Sequence, residues 1–471
     1  MTKNADHAFA RPLLTCFLAP IVGLLLSTNA AATNLEDVYN AARTNDAQVG
    51  AARAGFAASE QAVPQARAAL LPSLNASANT SWTEREFPGS LDFTTGMEVP
   101  DQDFNEHGWS AQISQPVLNM SGWFGVGSAK AQVSAARFDL SRIEQDLIVR
   151  VVDAYLNVLR AQDLLDTTHA EEAAVKRQLE QVQQRFDVGL VAITDVLESQ
   201  AAYDAAVVRR IQADGDHSIF FETLSTLSGE YYESLDRLSH KLPIINPAPM
   251  TEQKWVDTAL LTNLGIRAAQ EQLTAARRNV RSRRSDALPT VDATVTQVHS
   301  VTGAPNFFNA DTTDQVVYGL QFNLPLYTGG LIRARSKEAK AQEDQASETL
   351  LDQQRTVTRD TRNLFQAVAT DVVRVKARLK AINSAQSALE ATETGYEVGT
   401  RNIVDVLQAQ QRLYSSQFDY ADSRYNYVIN LMRLKQTAGT LQDADIYELN
   451  SFTDPNDQVV RLISLKQANG G

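Results

Sequence analysis

The sequence predicts a mixed α/β membrane protein in which a β-barrel shared between chains continues into a long α-helical coiled-coil barrel. Three observations lead to this fold class: four segments of alternating hydrophobicity, two very long helical runs, and an internal repeat. Residues 188–197 return as residues 398–407, at an offset of 210 positions. A repeat of this length indicates a duplicated structural unit, because solenoid modules recur every 20–50 residues or so.

The first 32 residues have the composition of a cleaved signal peptide. A positively charged start precedes an apolar stretch at 13–26, and small residues follow it, as in secretory leaders. The apolar stretch contains Pro20 and is shorter than the roughly 18–20 residues of a spanning helix. We expect cleavage after Ala30 or Ala32.

The composition of the whole chain argues against several classes of function. The chain has 56 acidic and 43 basic residues, a net charge of −13, and no Lys/Arg block that would favour nucleic-acid binding. Its one cysteine, Cys16, lies in the predicted leader, so no disulfide or thiolate site is expected in the mature chain. The 6 histidines are scattered and no nucleotide-binding glycine loop appears. We therefore expect no enzyme activity, no cofactor and no metal site.

Four segments alternate apolar and polar residues with period two, at positions 74–82, 109–113, 291–295 and 316–326. This pattern is typical of half-buried strands, and each run of about ten residues matches one tilted pass through a bilayer. We expect two hairpins, joined by polar loops at 84–107 and 299–314. A soluble antiparallel sheet with one wet face is the alternative. Aromatic residues near the strand ends favour the membrane barrel.

A membrane barrel would require more than one copy of the chain. Spanning barrels need at least about eight strands, because an open sheet edge in lipid leaves backbone groups unpaired. With four strands per chain, two or three copies must share one barrel.

Two helical runs, from about residue 125 to 187 and from about 330 to 397, contain no proline. At 1.5 Å per residue each would extend roughly 90–100 Å. Their apolar positions step by three and four, which is the coiled-coil pattern. A partner helix follows each tight glycine turn, at 191–228 and at 402–438.

These features predict the following organisation of the chain: a leader at 1–32, a first repeat at 33–228, an irregular equatorial segment at 229–260, a second repeat at 261–438 and a C-terminal equatorial segment at 439–471. The first repeat contains a helix, two strands, a long helix, a turn and a helix, and the second repeat has the same order.

The two turn regions, 186–196 and 396–407, and the strand–helix junctions at 69–74 and 324–330 resemble the TolC family of outer-membrane efflux channels. The similarity covers residues 34–450. It implies a homotrimer with a twelve-stranded barrel, four strands from each chain, in the lipid of the bacterial outer membrane and a helical barrel in the periplasm. It also implies an exit duct for drugs, small molecules or proteins. Its partners would be a periplasmic adaptor (membrane fusion protein) and an inner-membrane RND or ABC transporter.

Position by position, the resemblance implies a periplasmic gate lock made of Gln178, Thr194, Asp195, Tyr396 and Arg401. Asp195 could accept a hydrogen bond from a phenol and pair with a guanidinium, and such bonds are worth roughly 1.5–3 kcal/mol each. A structural alternative is that Asp195 caps a helix beginning near Val196.

The resemblance also implies that Asp405 forms the pore constriction, where three copies would concentrate negative charge. The alternative is a local i, i+4 pair with Arg401, worth a few tenths of a kcal/mol. One turn further on, Gln408 stands where the family has a second carboxylate, so we expect a less acidic constriction. Glu397 is a candidate for partial compensation.

The turns themselves correspond to the adaptor contacts of the family, at Gly189, Leu190, Gly399 and Thr400. The glycines also have a structural reason, because a reversing helix end favours a residue that tolerates positive φ. A static or adhesive coiled-coil trimer is the competing function. The predicted lock distinguishes a gated duct from a static trimer, because a static rod does not require Asp195 and Arg401 at facing turns.

Overall fold

The computed structural model describes residues 33–91, 94–239, 241–303 and 312–461, and the predicted leader with its cleavage sites lies outside them. In chain order, the elements are α1 (Leu35–Asn45), α2 (Ala47–Glu60), α3 (Ala62–Ala68), β1 (Ser73–Arg85), β2 (Gln102–Leu118), α4 (Met120–Asp187), α5 (Ile193–Ser228), β3 (Ser234–Leu238), α6 (Glu252–Thr262), α7 (Leu264–Ser285), β4 (Thr290–Thr302), β5 (Thr312–Asn323), α8 (Leu331–Glu397), α9 (Ile403–Thr437), α10 (Asp443–Asn450) and β6 (Thr453–Val460).

The four predicted strands form one antiparallel sheet in the order β1-β2-β4-β5. Both predicted hairpins are present, and β2 also pairs with β4, where Ile113 faces Val295. Among the described residues, the outer edges of β1 and β5 pair with no further strand. On β5, Tyr318 and Leu320 are 78% and 73% exposed. A single chain therefore leaves two open edges and an uncovered apolar face, which need a partner.

The strands are longer than their apolar alternation indicated. β2 begins at Gln102 and β4 continues to Thr302, so the expected loops at 84–107 and 299–314 are shorter than predicted. Hydrogen bonding between strands extends the sheet into polar residues. Alternation, by contrast, marks only the part with an apolar face.

The long helices are confirmed, since α4 has 68 residues and α8 has 67. At 1.5 Å per residue each is about 100 Å long. The apolar positions that step by three and four form a buried seam between the helices, in which Val151 and Val368 are 0% exposed. Asp371 also lies in the seam, and its carboxylate accepts hydrogen bonds from Arg374 at 2.8 Å and Asn430 at 2.7 Å. Within the described part of the chain, no helix is both long enough and apolar enough to cross a membrane.

The equatorial segments at 229–260 and 439–471 contain short regular elements and meet each other. β3 pairs with β6 in a separate two-stranded antiparallel sheet, although more than 200 residues separate them along the chain. Helix α6 begins within the first segment and α10 lies in the second. The main buried core adjoins this sheet and includes Tyr155, Phe221 and Leu235. The hydroxyl of Tyr155 donates to the carbonyl of Asp236.

Candidate functional site: the paired helical turns

The two turns at the far ends of α4 and α8 have the same backbone geometry. Gly189 and Gly399 adopt φ values of 76° and 79°, in the left-handed region that favours glycine. In each turn the amide after the glycine, at Leu190 or Thr400, donates to the carbonyl five residues earlier at 2.8 Å. The structural reason for both glycines is therefore present, and the duplication extends to individual hydrogen bonds.

The tips of the turns expose large apolar side chains. Val188, Leu190 and Val398 are 70%, 73% and 69% exposed. Thr400 uses its hydroxyl locally, as a donor to the carbonyl of Gly395 at 3.0 Å. All four residues expected to contact an adaptor therefore lie at the end of the helical bundle, next to an uncovered apolar surface.

A buried apolar cluster beneath the tips joins both turns into one unit. It contains Val182, Val196, Leu389, Ile403, Val406, Ala409 and Leu413, contributed by α4, α5, α8 and α9. The aromatic rings of Phe186 and Tyr396, which occupy equivalent positions in the repeat, pack against it. The positions of the turn side chains are thus coupled through a shared core.

The structural alternative, in which Asp195 caps a helix, is wrong. Helix α5 begins at Ile193, its N-cap residue is Ala192, and no side chain caps it. Asp195 instead lies within the first turn, where a carboxylate still interacts favourably with the helix dipole. Its side-chain contact is with Thr194, whose hydroxyl lies 3.4 Å from the Asp195 carboxylate. Within the described residues, Asp195 contacts neither the phenol nor the guanidinium proposed for the lock.

Tyr396 and Gln178 line the same groove. Both border a groove of about 890 Å³ between α4 and the second helix pair, and Gln178 is 8% exposed. The Arg185 guanidinium lies 5.1 Å from the centre of the Tyr396 ring, within the range of a cation–π interaction. The Tyr396 hydroxyl is buried with no hydrogen-bond partner in the described structure, and so is the side-chain oxygen of Gln410 in the same groove.

Arg185 and Gln410 were missed by sequence reasoning. Their part in the groove depends on α4 packing against α9, and no local pattern indicates that contact. Their residue types alone carry no signal, because glutamine and arginine are abundant along all these helices.

At the second turn, Asp405 has the local role considered as its alternative, and a further one. Asn402 caps α9 by accepting from the Asp405 amide at 2.8 Å, and the Asp405 carboxylate accepts from the Asn402 amide at 3.4 Å. Arg401 lies 3.9 Å from the same carboxylate, with 62% of its side chain exposed. The Asn402-x-x-Asp405 spacing resembles a capping box and could have been recognised in the sequence.

Gln408 is exposed and borders a different groove, between α5 and α9, together with Glu198 and Arg209. The structure thus separates the five lock residues into two groups. Gln178 and Tyr396 share the groove, whereas Thr194, Asp195 and Arg401 lie outside it. Among the described residues, no three potential metal-binding side chains form a cluster.

An open sheet at one end of four long helices, with two closed turns at the other end, is the architecture of an outer-membrane channel subunit. The family model for outer membrane efflux proteins matches residues 38–230 and 255–440. The chain therefore belongs to the outer membrane efflux protein family.

Its relatives agree in sequence and in fold. It is 33% identical to the outer membrane protein TolC of Vibrio cholerae serotype O1, over 94% of this chain and 98% of that protein. It is 29% identical to the alkaline protease secretion protein AprF of Pseudomonas aeruginosa, over 90% of this chain and 88% of that protein. The solved Campylobacter jejuni CmeC outer membrane channel has a TM-score of 0.73 at 17% identity, over 94% of this chain and 98% of that chain.

These findings confirm the predicted fold class, location and general function. The chain is an exit duct in the bacterial outer membrane for efflux or type I secretion, it is not an enzyme, and it works as one component of an export system. The competing interpretation, a static coiled-coil rod, is set aside by this family membership.

Proposed function

We propose that the duct is a trimer closed at the paired turns by an electrostatic lock, and opened when a periplasmic adaptor coupled to an RND or ABC transporter docks on the tips. Within the described residues the outer edges of β1 and β5 are unpaired, which supports the shared barrel, because a neighbouring copy can pair with each edge. The exposed side chains of Val188, Leu190 and Val398 support docking, since a partner would remove them from water. The transporter would select the drug, small molecule or protein that passes.

The lock is proposed to act between neighbouring copies of the chain. The observation that carries it is the buried Tyr396 hydroxyl, which has no partner in the described chain. A buried polar group without a hydrogen bond costs about 1–3 kcal/mol, so an acceptor from the next subunit would stabilise the closed state. The Asp195 carboxylate, at the equivalent end of the other helix pair, is the acceptor we propose.

Arg401 is available for such an exchange. Its contact with Asp405 is long, at 3.9 Å, and largely exposed, so it is worth no more than a few tenths of a kcal/mol. A shorter pair with Asp195 of a neighbour would replace it at little cost. Gln178 and Thr194 would complete the lock with hydrogen bonds to the same group of side chains.

Asp405 is proposed to form the constriction and Gln408 to leave it with a single acidic ring. Asp405 remains 35% exposed although it also belongs to the capping box, so its carboxylate can still face an aqueous pore. Three carboxylates about one axis would attract cations.

Single-channel recording in planar bilayers tests the lock. The double variant Arg401→Ser with Tyr396→Phe should raise the conductance of the purified trimer and sensitise cells to large antibiotics. The matched control is Arg412→Ser with Tyr420→Phe, which changes the same residue types further along α9. If the lock variant and this control both conduct like the unaltered channel, the proposed lock is wrong.

The constriction is tested by titrating a divalent cation from the helical side. Asp405→Ala should increase the single-channel current and abolish the block by the divalent cation. Glu397→Ala, at the end of α8, should retain the block. Equal loss of block in both variants would show that the binding ring is not at Asp405. A folded trimer that never conducts, in any variant, would refute the gated duct.

A further inference from the structure

The junction between sheet and helices concentrates positive charge in an otherwise acidic chain. Four stretches adjoin the strand ends, at residues 66–72, 119–131, 274–287 and 328–345. Together they contain eleven Lys or Arg and four Asp or Glu, a net charge of +7, although the whole chain carries −13. We call five arginines at the end of α7 and the start of α8 the basic collar: Arg281, Arg283, Arg284, Arg333 and Arg335.

With the strands in the hydrocarbon, the basic collar comes close to the level of the lipid headgroups. Arg281 is four residues before the end of α7 and Arg335 is four residues after the start of α8, about 6 Å along each helix. The polar layer on each side of a bilayer is roughly 5–8 Å thick, the difference between the full thickness and the hydrocarbon core. Residues 286–289 and 324–330 separate these helix ends from β4 and β5. With the strands in the hydrocarbon, the long arginine side chains can extend toward the polar layer from the helix ends.

The guanidinium groups are available for a ligand. All five arginines are exposed, and four of them form no ion pair within the described residues. The fifth, Arg283, is 3.8 Å from Asp286, with 46% of its side chain exposed. A guanidinium presents donors in a planar fork that matches phosphate oxygens.

Uncovered aromatic and apolar side chains at the same level indicate a lipid interface independently of the charge. Leu326 and Tyr327, directly before α8, are 88% and 87% exposed, and Trp123 in the first turn of α4 is 68% exposed. Tyr and Trp in such positions are typical of the boundary between headgroups and hydrocarbon.

Two pairs of arginines in the basic collar lie on opposite sides of their helices. Arg281 and Arg283 are two positions apart and therefore lie about 160° apart around α7, and Arg333 and Arg335 have the same relation on α8. Helix α7 packs against α4 and α8, yet Arg281 and Arg283 are both exposed. Their side chains therefore leave the helix in nearly opposite directions.

We propose that the basic collar binds the phosphate groups of anionic phospholipids in the periplasmic leaflet of the outer membrane, and so sets the depth of the barrel. This inference rests on the outer-membrane location of the chain and is independent of the gate lock. Arginine recognition of phosphate supplies the preference for an anionic headgroup, and the aromatic side chains beside it match the position of that headgroup.

The test measures lipid preference with the full-length trimer in vesicles that mix phosphatidylcholine with phosphatidylglycerol brominated on its acyl chains. Quenching of tryptophan fluorescence gives the binding constant of one lipid relative to the other. The unaltered protein should prefer phosphatidylglycerol several-fold. Replacing all five collar arginines by glutamine should bring the ratio to about one. The control removes five positive charges elsewhere on the helices, with Lys176, Arg355, Lys376, Lys380 and Arg412 each changed to Gln.

The control should keep the preference of the unaltered protein. A collar variant that still prefers the anionic lipid, or an equal loss in both variants, overturns the proposal. Raising the salt concentration with the unaltered protein tests the same idea without a variant, because screening should reduce the preference; a salt-independent ratio of one also overturns it. Reversal potentials in pure phosphatidylcholine bilayers identify the other source of anions. If the collar variant alters ion selectivity but leaves lipid preference unchanged, the arginines serve anions in the duct and the proposal is wrong.

Discussion

The two ends of the long helices differ in charge and in how that charge is used. At the strand end, the stretches around the basic collar carry a net +7, whereas residues 180–200 and 388–408 at the tips contain eight acidic and two basic side chains, a net −6. Four collar arginines are unpaired within the described residues, but at the tips Asp405 serves in a capping box and contacts Arg401.

The difference suggests two kinds of partner. A membrane surface is present throughout the life of the channel, so unpaired arginines at that end can have a constant ligand. The proposed gate must close without its partner and open with it, so its side chains need weak local contacts that can be exchanged. The long contact between Arg401 and Asp405 has this character.

The largest expected effect is loss of structure at the tips alone. Val406 is completely buried in the apolar cluster below the turns. Val406→Asp would therefore bury a charge and cost roughly 3 kcal/mol or more. Hydrogen exchange should accelerate in residues 180–200 and 388–410 and stay unchanged near the basic collar. Val188→Asp, at a side chain 70% exposed, is the control and should have little effect. Faster exchange over the whole helix would contradict an independent tip unit.

The next largest effect is the loss of local stability expected when the glycine of either duplicated turn is replaced. Gly189→Ala and Gly399→Ala should each destabilise the local turn by about 1–2 kcal/mol, because both glycines have positive φ. Among the described residues no atom lies within 4 Å of an added Cβ, so the cost is that of the backbone alone. Gly50→Ala, in the helical conformation and equally unobstructed, should stabilise its helix by about 0.5–1 kcal/mol. Hydrogen exchange in each segment gives these values. Different costs in the two turns would show that the repeat is not energetically symmetric.

A smaller effect concerns the helix caps, where the turns differ. Asn402→Ala should destabilise the start of α9 by about 1 kcal/mol, because it removes the acceptor of the Asp405 amide. Ala192→Asn should stabilise α5 by a similar amount, since Ala192 is an N-cap with extended backbone and no side-chain hydrogen bond. Exchange rates of the first-turn amides check both. If Ala192→Asn stabilises α5 but Asn402→Ala does not destabilise α9, the Asn402 side chain does not contribute to the stability of α9.

The smallest effect is a pH response from the region between the two ends. His217 is fully buried, and burial lowers its pKa; Asp214 and Asp166 oppose this shift and Arg461 adds to it. Because the folded state binds the proton less readily than the unfolded chain, this contribution to stability is complete above the unfolded pKa of about 6.5 and is lost as pH falls below it. The Tm should drop less between pH 8 and pH 5.5 in His217→Gln than in the unaltered protein. Exposed His169→Gln should behave like the unaltered protein, and an identical drop in both variants would assign the acid sensitivity elsewhere.

Much of the fold could be predicted because its signals are local. Alternation identified β1, β2, β4 and β5, and proline-free runs located α4 and α8 to within a few residues. The candidate site was harder to predict from the sequence. Gln178 and Tyr396 share a groove, but the helix begins at Ile193, so Asp195 is not its cap. The first residue of a helix depends on how the turn closes, and residue type alone does not specify this.

The sequence by itself determined the order of the four main strands and four long helices, the lengths of α4 and α8, and the positions of both glycine turns. It also determined the charges of the stretches that lie at the two ends, because periodicity, glycine and charge are read over short stretches. Only the tertiary structure decided which distant residues meet: β2 with β4, β3 with β6, and Arg185 with the Tyr396 ring. Each of these contacts joins residues more than 150 positions apart, and it forms because helices and strands must bury their apolar faces together.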